Sequence, residues 1–197
     1  MSGVLVVGAG LAGARCAEAL RTGGYGRPIV VVGDERYGPY ARPALSKEFL
    51  AGERPAEALQ LRDGGFWEER EIELRLGTRL ERVDVAARTA FAAGRLIRWD
   101  SLVLATGARP RRLPGAPVPG AHVLRTLDDA IALRERIRAG SRLVIIGAGF
   151  VGAEAASTCA GLGAHVTIVE AEPLPLARAI GPELGRLLAE RLSLIHI

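Results

Sequence analysis

The sequence is poor in cysteine, in lysine and in long apolar runs. Only two cysteines, Cys16 and Cys159, occur in its 197 residues, and they form neither a C-x-x-C pair nor a spacing typical of metal ligands. We therefore predict no metal site and expect both cysteines to pack in the core. The 26 basic residues include a single lysine, Lys47. No basic tract contains interleaved aromatic residues, so nucleic-acid binding is not predicted.

Long apolar segments are also missing, although 49% of the residues are hydrophobic. No uninterrupted apolar run approaches the roughly 20 residues that a membrane-spanning helix requires. The first apolar segment, residues 4–7, is too short for the core of a signal peptide. We therefore expect a globular, cytoplasmic protein with no membrane partner, of one large or two small domains.

A glycine-rich turn organises the start of the chain. Residues 4–13 read VLVVGAGLAG, which predicts a strand, a G-x-G-x-x-G turn and a helix. In such a turn the glycines provide a tight bend, room for a pyrophosphate and close packing of helix on strand, here as Gly8, Gly10 and Gly13. A second predicted strand, residues 29–32, is followed by Asp34 and Glu35. These acids come about 20 residues after the turn, where a ribose hydroxyl needs an acceptor.

The same pattern occurs a second time. Residues 143–152 read LVIIGAGFVG, with turn glycines at Gly147, Gly149 and Gly152. The next predicted strand, residues 165–169, ends at Glu170. Two chance glycine turns would not come with two strands, two helices and two correctly spaced acids, so the sequence predicts two dinucleotide-binding folds.

The segment after the first acids carries a more specific pattern. Residues 33–52 read GDERYGPYARPALSKEFLAG, and the prolines favour an extended loop in the first part of this segment. The segment resembles the FAD-dependent ferredoxin reductases that serve Rieske dioxygenases and cytochromes P450, including the putidaredoxin and rubredoxin reductases. That family has two consecutive prolines here, whereas this chain has Ala44 after Pro43.

The middle of the chain fits the same family. Three short predicted strands indicate an antiparallel β-meander, at residues 80–85, 89–92 and 96–99. Residues 101–108 predict a buried strand, and its end resembles the A-T-G element, with Thr106 and Gly107, where two-dinucleotide flavoproteins pass from the FAD domain to the NAD domain. The predicted fold class is therefore α/β. It contains two Rossmann-like folds, FAD then NAD, with a β-meander crossover in a glutathione-reductase-like architecture.

The predicted domain division follows from these segments. An FAD domain occupies residues 1–108, a proline-rich linker 109–119, and an NAD domain 120–191. Within the second domain, helices are predicted from the N-cap Thr126 to about residue 139 and from Pro182 to about residue 191.

The end of the sequence predicts a truncation. Residues 192–197 read LSLIHI. One choice of codons for them spells a transposase adapter used in sequencing libraries, whereas other codons would make them an ordinary apolar tail, and we interpret them as a non-native tail. The resembled family continues for about as many residues again. We therefore expect both domains to be N-terminal parts and the chain by itself to be inactive.

The resemblance implies a mechanism and the residues for it. Hydride would pass from NADH to flavin N5, and single electrons would then reach a ferredoxin or rubredoxin. The flavin ring would lie against Arg42, Pro43 and Lys47, with Lys47 and Glu154 as the catalytic ion pair. Alternatively, Lys47 is a solvated surface lysine and Glu154 an acid favoured at a helix N-terminus. Further implied cofactor contacts are Ala12, Asp34, Glu35, Leu80 and Arg125.

The acid of the second fold bears on the choice of nucleotide. The Glu170 carboxylate can accept from the ribose hydroxyls of NADH and would repel a 2′-phosphate, so NADH is predicted over NADPH.

Two other functions share the predicted architecture. A disulfide or peroxide reductase needs a reactive cysteine beside the flavin, and residues 36–52 contain none. A non-catalytic redox-signalling flavoprotein resembling apoptosis-inducing factor would bind the same nucleotides. NADH oxidation with ferredoxin or cytochrome c as acceptor distinguishes the reductase from this second alternative.

Overall fold

The computed structural model describes residues 3–115 and 118–193. Residues 194–197 of the predicted adapter-derived tail, and two residues of the predicted linker, lie outside the described residues. No helix in the described ranges is long and apolar enough to cross a membrane. By its internal contacts the chain divides into a first unit, Met1–Ala41 with Leu59–Arg109, and a second unit, Arg42–Ala58 with Pro110–Ile197.

The described elements are nine strands, six α-helices and two 3-10 helices. In chain order they are β1 (Val4–Val7), α1 (Leu11–Thr22), β2 (Ile29–Val32), a 3-10 helix (Arg42–Ser46), α2 (Glu48–Ala51), a second 3-10 helix (Ala56–Leu59), α3 (Phe66–Glu69), β3 (Ile72–Arg75), β4 (Leu80–Asp84), β5 (Thr89–Ala92), β6 (Arg95–Arg98), β7 (Ser101–Leu104), α4 (Leu127–Arg134), β8 (Arg142–Ile146), α5 (Phe150–Gly161), β9 (His165–Val169) and α6 (Ala177–Ser193).

The first unit contains a parallel sheet of order β3-β2-β1-β7. All four residues of β1 are buried, because successive side chains point to opposite faces and both faces are covered. One face packs on α1 and Trp67, and the other packs on the predicted β-meander, which is present as the antiparallel sheet β4-β5-β6. The α/β fold with a parallel sheet is thus confirmed.

One strand of this sheet differs from its prediction. The strand β7 was predicted to be buried, but Leu104 at its end is 66% exposed. The prediction is wrong because β7 lies at the edge of the described sheet and pairs only with β1.

The second unit is built on the parallel pair β8 and β9. One face of the pair packs on α5 in a cluster that includes Ile137, Cys159 and Val166. On the opposite face Val144 and Ile146 are 66% and 62% exposed. The strand β8 therefore alternates between core and surface, unlike the fully buried β1.

The segment of residues 42–58 belongs to the second unit by its contacts. The buried side chain of Leu50, in α2, packs in the same cluster as α5. The predicted division assigns this segment to the first domain because it follows the first fold in sequence. Contacts between residues more than 100 positions apart decide its packing.

Helix boundaries in the second unit depart partly from expectation. The helix α4 starts as predicted, since the Thr126 hydroxyl accepts from the Asp129 N–H and the Asp129 carboxylate accepts from the Thr126 N–H. Its predicted end near residue 139 is wrong. The Arg136 N–H donates to the Leu133 carbonyl, three residues back, and the chain then turns Ile137 into the core.

The last predicted helix is present, and a short helical segment that was not predicted precedes it. The element α6 starts at Ala177 and is broken at Gly181, whose φ is 83°. This left-handed backbone favours glycine, and Pro182 then occupies the first turn of the helical segment that was predicted, where its missing N–H costs little.

Candidate functional site

The first glycine turn is built by backbone constraints. Gly8 has a φ of +115°, and a Cβ there would lie 2.0 Å from the Ala105 carbonyl oxygen. A Cβ on Gly13 would lie 1.9 Å from the Gly8 carbonyl oxygen. The Gly8 N–H donates to the Val32 carbonyl at the end of β2. Glycine is therefore required at both positions by the fold itself.

The second turn repeats this geometry in the second unit. Gly147 has a φ of +103°, its N–H donates to the Val169 carbonyl, and a Cβ on Gly152 would lie 2.0 Å from the Gly147 carbonyl oxygen. Gly149 differs, because a Cβ built there meets no atom within 4 Å. The protein leaves open space beside Gly149, as the close approach of a pyrophosphate requires.

The helices that follow the two turns lack side-chain caps. Gly10 and Gly149 are the N-cap residues of α1 and α5, and neither helix has a capping hydrogen bond from a side chain. The helix α4 has both bonds of a capping box. Uncapped first-turn N–H groups together with the helix dipole favour an anion at α1 and α5. The residues present thus fit dinucleotide phosphates.

The carboxylate of Glu170 lies against the second turn. Its Oε2 accepts from the Ala148 N–H at 2.6 Å, and its Oε1 accepts from the N–H groups of Ala171 and Glu172 at 2.7 and 3.0 Å. The backbone hydrogen bonds from Glu172 and Ala148 hold the pKa of Glu170 below its ordinary value. One acceptor position of Oε2 is left over for a ribose hydroxyl.

The corresponding acid of the first unit is placed differently. Gly33 follows β2 as Glu170 follows β9, and a Cβ on Gly33 would lie 2.6 Å from the Ala9 Cβ. No side chain fits at that position, so the acids come later, as Asp34 and Glu35. Glu35 accepts from the Tyr40 hydroxyl at 2.5 Å. Sequence spacing treated the two acids as equivalent and could not detect this difference.

A cation near Glu170 has its own partner. The Arg178 guanidinium, whose side chain is 85% exposed, is ion-paired with the Glu172 carboxylate. Two carboxylates and one paired cation therefore follow β9, a charge balance unfavourable to a 2′-phosphate.

Residues 42–47 and α5 meet within the second unit. The Lys47 Nζ lies 3.0 Å from the Glu154 Oε1, so the predicted ion pair is present. The Ser46 hydroxyl donates to the Glu154 Oε2 at 2.6 Å. Partial burial alone would raise the pKa of Glu154, but the hydrogen bonds from Ser46 and Lys47 and the ammonium charge outweigh it and lower this pKa.

Three further predicted residues, Arg42, Pro43 and Arg125, lie in the same unit. The Arg42 guanidinium donates to the Arg125 carbonyl at 2.9 Å, and the Pro43 side chain is exposed in the same 3-10 helix. Sequence analysis missed Ser46 and Thr158, which contact each other. The available signals were the position of Ser46 beside Lys47 and the spacing of Thr158, four residues after Glu154 and thus on the same helix face.

The remaining predicted residues lie in the first unit. Ala12 is exposed in the first turn of α1, and Thr106 and Gly107 follow β7. Leu80 begins β4 and packs against the apolar cluster under the β-meander. Their role as cofactor contacts stays a prediction.

The sequence pattern of one protein family, described as Pyridine nucleotide-disulphide oxidoreductase, matches residues 2–194. The chain belongs to this family. Within it, the chain is 42% identical over 191 residues to a ferredoxin–NAD(P)(+) reductase of Sphingomonas sp, which covers 95% of this chain and 46% of that protein. It is 36% identical over 193 residues to a rubredoxin–NAD(+) reductase of Pseudomonas putida, covering 96% and 50%.

A solved family member has the same backbone. The ferredoxin reductase for the CYP199A2 system from Rhodopseudomonas palustris superimposes with a TM-score of 0.95 at 38% identity, covering 100% of this chain and 49% of that one. The chain spans about half the length of the curated relatives it matches. The resemblance to ferredoxin and rubredoxin reductases is confirmed.

In this chain, alanine substitutions at two glycines of the second turn, Gly149 and Gly152, should have different effects on stability and on nucleotide binding. Gly149→Ala enters open space with an ordinary φ of −77°, so it should change the free energy of unfolding by less than about 0.5 kcal/mol. It should nevertheless weaken NADH binding, because its methyl would occupy the open space that we expect a pyrophosphate to enter. The matched control Gly152→Ala should destabilise by about 2 kcal/mol or more, because it strikes the Gly147 carbonyl. Thermal melting and calorimetric titration with NADH measure both effects, and unaltered NADH affinity in Gly149→Ala would contradict the assignment.

The lowered pKa of Glu154 predicts an acid-sensitive contribution to stability. The ionised carboxylate stabilises the fold above its unfolded-state pKa, ordinarily 4.5, and this stabilisation is lost as the pH falls through the lower folded-state pKa. Glu154→Gln should therefore lower Tm more at pH 7 than at about pH 3. The control Glu53→Gln, at an exposed position, should change Tm little at either pH. Equal Tm losses for Glu154→Gln at both pH values would refute the prediction.

Proposed function

We propose that the protein to which this chain belongs is an NADH-dependent flavoprotein reductase that passes electrons to a ferredoxin or rubredoxin of an oxygenase system. The observation that carries this proposal is the Lys47–Glu154 ion pair. It joins the segment that resembles ferredoxin reductases to the helix of the second glycine turn. The relatives support the proposal, since they are ferredoxin and rubredoxin reductases.

Residues 42–58 lie in the predicted FAD domain, although their contacts assign them to the second unit. Otherwise the two units correspond in this proposal to the first parts of an FAD fold and an NAD fold, in the predicted domains 1–108 and 120–191 joined by the linker 109–119. Each contains a parallel strand–helix–strand segment with an uncapped helix after a glycine turn, β1-α1-β2 and β8-α5-β9. When bound, FAD supplies the conversion of a two-electron hydride from NADH into single electrons.

In this scheme the residues of the chain would bind the two nucleotides and orient them. The first-turn N–H groups of α1 and α5 would hold the phosphates, Asp34 or Glu35 would accept from the FAD ribose, and Glu170 would accept from the NADH ribose. If FAD binds as proposed, the Lys47 ammonium would stabilise the negative charge of a reduced flavin, and Glu154 would orient that ammonium. Arg42, in the same 3-10 helix as Ser46, is held by its hydrogen bond to the Arg125 carbonyl.

Dithiol chemistry lacks suitable residues in this chain. Cys159 is fully buried, as expected, and burial raises the pKa of its thiol. Cys16, expected in the core, is only partly buried but lies on α1, outside residues 36–52. A thiolate nucleophile needs a lowered pKa and access to the flavin, so disulfide reduction is disfavoured.

The function is tested in an extended protein, defined as this chain continued to the length of its relatives by the second half of the Sphingomonas reductase. It should bind FAD and reduce a ferredoxin with NADH. Lys47→Ala should slow flavin reduction by about tenfold or more in stopped-flow mixing, because the developing charge loses its partner. FAD should remain bound, since backbone N–H groups hold its phosphates. The control Lys47→Arg keeps the charge and should retain most of the rate. An unchanged rate in Lys47→Ala would make Lys47 an ordinary surface lysine.

Nucleotide preference is predicted from the charges after β9. The extended protein should have a higher kcat/KM for NADH than for NADPH. In the proposed site Glu170 would face the ribose of the nucleotide, and Glu172 holds the Arg178 guanidinium in an ion pair. Glu172→Ala should release Arg178 for a 2′-phosphate and raise the kcat/KM for NADPH by about tenfold. Arg178→Ala in the Glu172→Ala background should abolish that gain. Equal efficiency of the unaltered protein with both nucleotides would contradict the assignment of Glu170.

A further inference from the structure

Ser46 is the one polar residue among the buried side chains of the described ranges, with 4% of its surface exposed. A buried hydroxyl is costly unless it is hydrogen-bonded. Its Oγ lies 2.6 Å from the Glu154 Oε2 and 3.4 Å from the Pro43 carbonyl oxygen. The short contact to an ionised acceptor satisfies the hydroxyl and makes it a donor to Glu154.

The backbone of Ser46 is held by the same helix. The Thr158 hydroxyl donates to the Ser46 carbonyl at 2.8 Å. Glu154 and Thr158 are four residues apart on α5 and therefore lie on one face. This face contacts Ser46 at both its hydroxyl and its carbonyl. The bond to the carbonyl therefore holds the backbone from which the Ser46 hydroxyl reaches Glu154.

The ion pair would be loosely held without this support. The Lys47 and Glu154 side chains are 42% and 33% exposed, and ion pairs of partly exposed groups are screened by water and weak. Both side chains are long and lose rotamer freedom when they pair. A short side chain such as serine loses little, and the Ser46 bond restricts the Glu154 carboxylate to one orientation.

We propose that Ser46 is a positioning residue: its hydroxyl holds one oxygen of the Glu154 carboxylate so that the other oxygen holds the Lys47 ammonium. The inference rests on the proposed function, in which that ammonium serves the flavin. Three contacts support it: Ser46 to Glu154, Lys47 to Glu154, and Thr158 to the Ser46 carbonyl. Ser46 and Lys47 are adjacent in sequence, so the carboxylate bridges two neighbouring side chains.

The test uses the 197-residue chain itself, in which Lys47 is the only lysine. The dilute protein is treated at constant pH with an amine-reactive acetylating reagent, and mass spectrometry of peptides separates acetylation of Lys47 from that of the N-terminus. An ammonium held by a carboxylate is less available to the reagent. Ser46→Ala should therefore raise the acetylation rate of Lys47 roughly threefold, and Glu154→Gln should raise it at least as much.

Two variants separate positioning from a structural effect. Ser46→Thr keeps the hydroxyl and should restore the slow rate. Ser141→Ala removes a hydrogen bond elsewhere in the second unit, from the Arg138 N–H to the Ser141 hydroxyl, and its acetylation rate should equal that of the unaltered chain. Circular dichroism verifies folding, and Ser46→Cys, of similar size but a weak donor, replaces Ser46→Ala if the latter does not fold.

Each outcome decides the proposal. An unchanged rate in Ser46→Ala would overturn it, as would equal acceleration in Ser46→Ala and Ser141→Ala. No nucleotide or electron acceptor enters the assay. A failure of ferredoxin reduction in the extended protein therefore rejects the proposed function, while the role of Ser46 toward Glu154 is decided separately.

Discussion

The contact between a glycine turn and its following helix is the constraint on which each unit depends. In the first unit Gly13 approaches the Gly8 carbonyl so closely that a methyl group would not fit, and Gly152 and Gly147 repeat this contact in the second. The left-handed backbone of Gly8 and Gly147 allows the turn to reverse within this space. The contact fixes where each helix begins and leaves its first N–H groups without side-chain caps, directed at the space that a phosphate needs.

The acids that follow the second strand of each unit are placed by different backbone. In the second unit the Glu170 carboxylate reaches back to the turn and bonds the Ala148 N–H. In the first unit Gly33 takes the equivalent place because Ala9 packs against it, and the acids follow one and two residues later. A rule that places the acid only about 20 residues after the turn cannot resolve a shift of one or two residues. The shift places the acceptors differently around two otherwise similar turns.

The second unit contains a cluster of hydrogen-bonded polar side chains around Glu154, formed by Ser46, Lys47 and Thr158. Apolar packing of Leu50 against α5 holds the segment of residues 42–58 there, and the hydrogen bonds of Ser46 and Thr158 set its register on the helix. Apolar contacts supply most of the free energy that holds this segment on α5, but they are not directional. The charge-assisted hydrogen bonds fix the geometry of the few polar atoms around Glu154. The ammonium of Lys47 depends on both.

The sequence by itself determined the two glycine turns, the strand and helix that flank each of them, the N-cap at Thr126 and the membership in a reductase family. These features depend on local backbone sterics and on short motifs, which residue types specify directly. Even the Lys47–Glu154 pair was predictable, through a resemblance that placed both residues in one family pattern. Only the tertiary structure decided that α4 ends at Arg134, that β7 lies at an edge, that residues 42–58 pack on the second unit, and that Ser46 donates to Glu154. Each of these depends on contacts between residues far apart in the chain, and local propensity contains no information about them.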